Sequence, residues 1–271
     1  MAPSLATQTK ETLFVVDYYG NAVDMLGYPS GKLLGVITGL NKPGSDCSDG
    51  AGNVWVANTG GSTIEEYSHT GSHIATLADD GYEPISCAYD PKSGDLAVGN
   101  FTSEESGPGN IALYTGASGK PKFYRSSKIL IVNYVAYAGT TGTLYLDGAN
   151  QSGRLFYGSF SKGKFKTIPV TGATIQYPGN LAWSSVTKSM NLQDSETYGE
   201  PIYQIAPSGK ITGQVDLHCE GECNPYVLLD DHLVTVGTQL ELFKYPQGGK
   251  AVKRISTGSY QFLAISPGMS Q

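Results

Sequence analysis

Short apolar runs recur along the chain at a nearly constant interval, each about the length of a β-strand and too short for a helix of several turns. They begin at Leu13 (LFVVD), Val54 (VWVAN), Leu96 (LAVGN), Leu144 (LYLDG), Met190 (MNLQD) and Leu233 (LVTVG), at intervals of 41, 42, 48, 46 and 43 residues. A second run rich in aromatics or aliphatics follows each one: AVDMLGY, TIEEY, NIALY, GRLFYGSF, EPIYQI and QLELFKY. A glycine turn then leads to a third strand, as in PSGK at 29–32, HTGS at 69–72, ASGK at 117–120 and PSGK at 207–210. Glycine suits these turns because it adopts positive φ without steric cost. A fourth apolar run closes each unit: SDCSD at 45–49, SCAYD at 86–90, YVAYAG at 134–139, NLAWSS at 180–185, PYVLLD at 225–230 and QFLAIS at 261–266.

A four-stranded sheet with two apolar faces cannot stand alone in water, so the units must pack face to face around an axis. Six units of about 45 residues therefore predict an all-β, six-bladed β-propeller with four-stranded antiparallel blades. The chain enters with a second-type strand at Leu13 and leaves with an innermost-type strand near Phe262. The two ends are expected to pair within one blade, which closes the ring and removes an open sheet edge. Residues 1–12 read as a polar N-terminal tail and 13–271 as a single propeller domain.

Composition adds to this picture rather than changing it. Glycine (35), tyrosine (18) and proline (14) are abundant and charged residues make up only 15%, as expected for short strands joined by tight turns. The net charge of −6 argues against nucleic acid as a partner, because phosphate binding needs clustered Lys and Arg. No run approaches the roughly 18 apolar residues that span a bilayer, so no transmembrane segment is expected. The polar start is also what trimming of a signal peptide would leave, and the chain is expected to act as a monomer.

Cys47 and Cys87 lie in apolar strand-like runs and read as small buried thiols. Cys219 and Cys223, in the polar loop HCEGECN, could close a small disulfide, stay reduced, or join His218 around a metal. The sequons at Asn100 (NFT) and Asn150 (NQS) would matter only in a glycosylating host.

The patterns LFVVDYYGNAV with PSGKLLG, and NVWVANTGGSTIEEY with TGSHIATL, resemble NHL-type repeats and the SMP-30/gluconolactonase and streptogramin-lyase group of propellers. The resemblance covers essentially the whole chain, is strongest in the first two units, and is nearest to secreted bacterial NHL-repeat proteins of unassigned function. It implies the fold and a secreted or periplasmic location. In such propellers ligands sit at the channel mouth, on the loops that enter each innermost strand and those that join second to third strands. Those loops would gather an acidic, tyrosine-rich rim suited to a small molecule, a glycan or a protein partner. Asp46, Tyr82, Glu83, Tyr134, Tyr177, Asn180, Tyr226 and Tyr260 are the candidate ligand-binding residues. Asp17, Asn58, Asn100 and Asp194 end the first run of their units, where an Asx side chain bonding its own turn explains the recurrence. The acidic insertion FTSEESGPGN of the third unit is the best candidate for a specific contact loop.

The favoured function is a binding or scaffold propeller. Its alternative is a metal-dependent hydrolase or lyase, because gluconolactonase-like relatives hold a divalent cation in the channel with Glu, Asn and Asp. Asp46, Asn133, Asn180 and Asn224, with Glu83 nearby, match those types only loosely, and that family's glutamate has no counterpart between Leu13 and Asp17. No cofactor is predicted, although oxygen donors of this kind would suit Ca2+ or Mg2+. Streptogramin-lyase chemistry needs a general base at the mouth, usually a histidine, and of four histidines only His218 enters on that face. No catalytic residue is assigned, since the chain has no GxSxG elbow, HExxH motif or glycine-rich phosphate loop.

Overall fold

The computed structural model describes residues 11–49, 51–80, 82–101, 107–139, 141–197, 199–220, 223, 226–229, 232–235, 239–256 and 262–266. Three strands of blade one come first, Thr12–Asp17 (β1), Ala22–Gly27 (β2) and Lys32–Ile37 (β3). Blade two is Pro43–Ser48 (β4), Val54–Asn58 (β5), Thr63–Tyr67 (β6) and His73–Ala78 (β7), and blade three is Pro84–Tyr89 (β8), Leu96–Asn100 (β9), Asn110–Tyr114 (β10) and Lys122–Tyr124 (β11). Blade four runs Ile131–Tyr137 (β12), Leu144–Ala149 (β13), Leu155–Ser161 (β14) and Lys164–Thr167 (β15). Blade five follows with Pro178–Ser184 (β16), Ser189–Asp194 (β17), Ile202–Ile205 (β18) and Ile211–Val215 (β19). Leu217–His218 (β20) then pairs in parallel with Gly249–Lys250 (β24) beside blade six, which holds Tyr226–Leu229 (β21), His232–Thr235 (β22), Gln239–Lys244 (β23) and Lys253–Ser256 (β25). The last strand, Phe262–Ser266 (β26), pairs antiparallel with β1, Thr12 opposite Ser266 and Val16 opposite Phe262. Blade one is thus completed by both ends of the chain, as the order of strand types requires.

Strands β26, β4, β8, β12, β16 and β21 are innermost, and each touches the next around the ring. Strands β4, β8 and β16 begin two residues before the apolar runs that mark them in the sequence, where Pro43, Pro84 and Pro178 each open a strand ahead of a register break, and β12 begins three residues early at Ile131. Proline fits there, at the first residue of a strand.

Alternation along the second strands explains how the ring packs. Leu13 and Val15 join Leu240, Leu242 and Ile255 of blade six, while Phe14 and Val16 turn the other way to Val54, Val56 and Tyr67 of blade two. A period of two sends successive side chains to opposite faces, so one strand supplies two inter-blade cores. Trp55 and Ala57 likewise meet Leu96 and Val98, and Tyr145 and Tyr157 meet Leu192 and Ile205.

Cys47 and Cys87 are not free thiols. They form a disulfide between β4 and β8, the innermost strands of adjacent blades, with Cα atoms 5.7 Å apart. Sequence period alone did not show that inter-blade packing brings the two strands side by side. Cys219 and Cys223 form a second disulfide, and no described cysteine is free.

Gly148 ties the frame to the loop face. Its φ is +150°, and a Cβ there would lie 2.0 Å from the carbonyl oxygen of Ile131, at the start of β12. Gly148→Ala is expected to lower stability by about 2–3 kcal/mol, the cost of a strained backbone plus a displaced strand. A denaturant melt within about 0.5 kcal/mol of the parent would show that β12 yields without penalty.

Candidate functional site

The face where the innermost strands begin carries a repeated irregularity. Register breaks fall at Pro43/Ser45, Pro84/Ser86, Val132/Val135 and Pro178/Leu181, at the entry to four innermost strands. Such bulges re-aim side chains near the ends of strands. In blade four the break contains Asn133 and Tyr134, and in blade five Gly179 and Asn180. Asn133 crosses the blade boundary, its Nδ2 donating to the carbonyl oxygen of Pro178 at 3.1 Å.

Here blades four and five, with Ile85 of blade three, line a cleft of about 150 Å³ made by Ile85, Asn133, Tyr134, Tyr177, Pro178, Gly179 and Ser195. The backbone N–H of Tyr134 donates to Asp147 Oδ1 at 3.1 Å, and Asp147 is fully buried. Burial pushes the Asp147 carboxyl well above the usual carboxylate range. Burial, reinforced by Asp147 and Tyr177, also pushes the Tyr134 hydroxyl up, so the phenol stays neutral at physiological pH.

The loop entering β16 is held by Asp194 at the end of β17. Its Oδ2 accepts from the N–H of Gln176 at 2.9 Å and from the Thr197 hydroxyl at 2.6 Å, and its Oδ1 accepts from the N–H of Tyr177 at 3.1 Å. Asn58 does the same in blade two, its Oδ1 accepting from Asn41 N–H at 2.6 Å. Asp17 Oδ1 accepts from Gly20 N–H of its own turn at 2.7 Å, and Asn100 Nδ2 donates to Asn110 Oδ1 at 3.1 Å. The repeated Asx position is therefore architectural, but in blades two and five it pins the neighbouring entry loop as well as, or instead of, its own turn. Asn100 is also fully buried, which removes it as a glycosylation acceptor in the folded chain.

Beside the first cleft and sharing Ser195 with it, a larger one of about 560 Å³ opens between blades five and six. Its lining includes Glu196, Thr197, Glu200, His218, Cys219 and Cys223. The disulfide loop forming one wall is anchored at both ends. Cys223 N–H donates to Glu200 Oε2 at 3.0 Å, and Glu220 N–H donates to Glu241 Oε2 at 3.1 Å. Arg254 bridges Glu220 and Glu241, with N···O distances of 2.6 Å to each.

The candidate residues are thus distributed rather than gathered in one ring. Tyr134 and Tyr177 share the small cleft, and Asn180 follows in the same bulge, its Oδ1 accepting from Leu181 N–H at 2.9 Å. Tyr82 turns outward, where its ring packs on Phe123 of β11 with centroids 4.7 Å apart and its hydroxyl meets Arg125. Glu83 ties its own loop to blade three, its carbonyl accepting from Phe101 N–H at 2.9 Å. Asp46 is buried within β4, and Tyr226 is the first residue of β21. Tyr260, Asn224 and residues 102–106 of the third-blade insertion lie outside the described residues. Ser195 and Glu200 were not singled out by sequence, although both belong to the acidic loop DSETYGE between β17 and β18. Of the histidines, His218 lines the larger cleft, whereas His73 pairs with Glu65 at 2.9 Å on the outer strands of blade two. Among the described residues no three His, Cys, Asp or Glu side chains are grouped so as to hold a metal ion.

No family model matches the chain, and neither does any curated protein. Solved structures do. A chain from a crystal structure of a nidogen/laminin complex aligns over 96% of this chain and 100% of its own, at a TM-score of 0.76 and 10% identity. A protein of unknown function from Bacteroides caccae aligns over 95% of this chain and 99% of its own, at a TM-score of 0.66 and 12% identity. The chain is a six-bladed β-propeller. At these identities the likeness establishes fold alone, and one fold hosts unrelated functions. No helix among the described residues is long and apolar enough to cross a membrane. The two disulfides fit an extracellular or otherwise oxidising environment.

Proposed function

We propose that this propeller is a binding or scaffold module of the NHL-repeat, SMP-30-like kind, exported to an oxidising compartment, that holds a ligand or partner at the channel-mouth face. The observation that carries the reading is the pair of adjoining clefts sharing Ser195. One presents two tyrosines and an asparagine and the other carboxylates, both on a frame stapled by disulfides. Tyrosine offers a flat apolar face with a polar tip, a combination that recurs in recognition surfaces, and a stiff frame lowers the ordering cost of binding. The structural likeness to a chain from a protein–protein complex agrees with a partner-binding role.

Ser195→Arg fills both clefts from their shared edge. Ligands found by a glycan array and an NMR fragment screen are expected to lose at least about tenfold in affinity in this variant, a loss of roughly 1.4 kcal/mol. They should keep their affinity in Lys92→Glu, in the β8–β9 hairpin on the opposite face, with both variants melting as the parent does. Ligands that respond to Lys92→Glu and ignore Ser195→Arg would overturn the assignment of this face.

A further inference from the structure

Independently of the channel-mouth reading, we propose that the outer wall of blades three and four, away from the mouth, docks an acidic polysaccharide with a carboxylate at each repeat. Charge is unevenly placed along the sequence. Between residues 107 and 193 nine Lys and Arg stand against a single acid, Asp147, so this stretch carries +8 and the rest of the chain −14. Asp147 is buried and the nine basic residues are exposed, so the charges this stretch shows to solvent are all positive.

Five of the lysines gather on two outer strands and their turns. Lys120 and Lys122 lie just before and at the start of β11, and Lys162, Lys164 and Lys166 follow from the β14–β15 turn into β15. Strands alternate in direction within a blade, so both turns lie on the same face as the β8–β9 hairpin. The blade-four turn packs against blade three, where a Cβ at Gly163 would lie 3.2 Å from the Tyr124 ring. Lys122 Nζ sits 5.0 Å from the centroid of that ring, which also meets Phe160 at 4.8 Å between centroids. The two lysine groups therefore form one surface. Phe165 turns towards Phe160, which sends Lys164 and Lys166 to the other side of the edge strand β15, about 7 Å apart along it, so the patch wraps around blade four. None of the five lysines forms an ion pair.

The make-up of the patch selects its partner. No large apolar side chain exposed on the described surface belongs to β11, β15 or their turns, so the patch lacks the anchors that protein interfaces and bilayers use. The Tyr124 ring is engaged by Lys122 and Phe160, which makes it a poor platform for stacked bases. All five charges are lysine, without the arginine forks that suit phosphate, and the −14 on the rest of the chain repels a long nucleic acid. Compact ammonium groups spread over two blades suit a strand of regularly spaced carboxylates. The disulfides fit an extracellular setting, where such polymers occur.

The test is calorimetric titration of the full chain with a polygalacturonate oligomer, against a neutral dextran oligomer of equal length and a short DNA duplex. Polygalacturonate is expected to bind, and to weaken as salt is raised, while dextran does not bind. The double variant Lys122→Glu/Lys164→Glu should lower its affinity at least about tenfold. Lys210→Glu/Lys250→Glu makes the same change of charge on blades five and six and should leave affinity within about twofold. All four lysines are exposed, so both double variants should melt as the parent does. No binding, equal binding of dextran, or equal losses in the two double variants overturns the proposal. Tighter binding of the duplex than of the oligomer also overturns it, by assigning the patch to nucleic acid. Ser195→Arg should leave polygalacturonate binding unchanged, so this inference and the channel-mouth reading fail separately.

Discussion

Replacing Cys47 and Cys87 together by alanine is expected to remove about 4 kcal/mol of stability, because their link closes a long loop in the unfolded chain. The two residues are 40 apart in sequence and join the innermost strands of blades two and three. The loss of chain entropy on cross-linking grows with the logarithm of loop length, so Cys219–Cys223, only four residues apart, should contribute about 2 kcal/mol. Alanine is the suitable replacement, since Cys87 is buried and a serine hydroxyl would need a partner. Denaturant melts of the two double variants under oxidising conditions give the order directly, and a reductant should erase the difference between parent and double variant. A larger loss at 219–223 than at 47–87 would mean that native-state geometry, rather than chain entropy, governs both links.

Stability is also expected to fall as pH rises from about 4 to about 7, and the buried carboxyl of Asp79 is one cause. Asp79 is fully buried beside the entry to blade three, its Oδ1 accepting from the Tyr114 hydroxyl at 3.0 Å. Burial raises its pKa to about 7, with a smaller push from Asp80 and opposing pulls from Tyr114 and Asn100. The folded state therefore holds a proton that the unfolded chain, with its carboxyl at the ordinary 3.8, releases earlier. The stabilising contribution is complete below the unfolded pKa and is lost as pH rises through the folded one. Three pH units correspond to roughly 4 kcal/mol as an upper limit. Asp147, raised by burial in the same direction, adds to the trend. Asp79→Asn keeps an oxygen for Tyr114 and offers an N–H₂ in place of the carboxyl oxygen that has no partner. It should flatten the pH profile and gain a few kcal/mol at pH 8 relative to the parent. Parallel profiles for parent and variant between pH 4 and 8 would show that Asp79 is ionised throughout.

Much of the fold is legible in particular residues. LFVVD at one end and QFLAIS at the other carry the strand types needed to share a blade, and β1 and β26 do pair. The entry bulges are harder to see, since Pro43, Pro84 and Pro178 read only as turn residues until the strands are known to continue through them. The Cys47–Cys87 link had a signal in hindsight: both cysteines lie in innermost runs of neighbouring units, about one period apart. Read singly, each looked like a small buried hydrophobe.

The site was less legible for a related reason. DSETYGE and HCEGEC belong to different units and share no pattern, yet Glu200 holds Cys223 and the two segments wall one cleft. Tyr82 shows the opposite case, a rim residue by sequence whose ring settles on Phe123 at the outer strand. By itself the sequence determined the six blades, their order and the closure of the ring, because period-two burial and turn chemistry are local and repeat with the chain. Only the tertiary structure decided which cysteines join, which rim residues meet and where the clefts lie, because those outcomes depend on packing between blades and on loops that no repeat constrains.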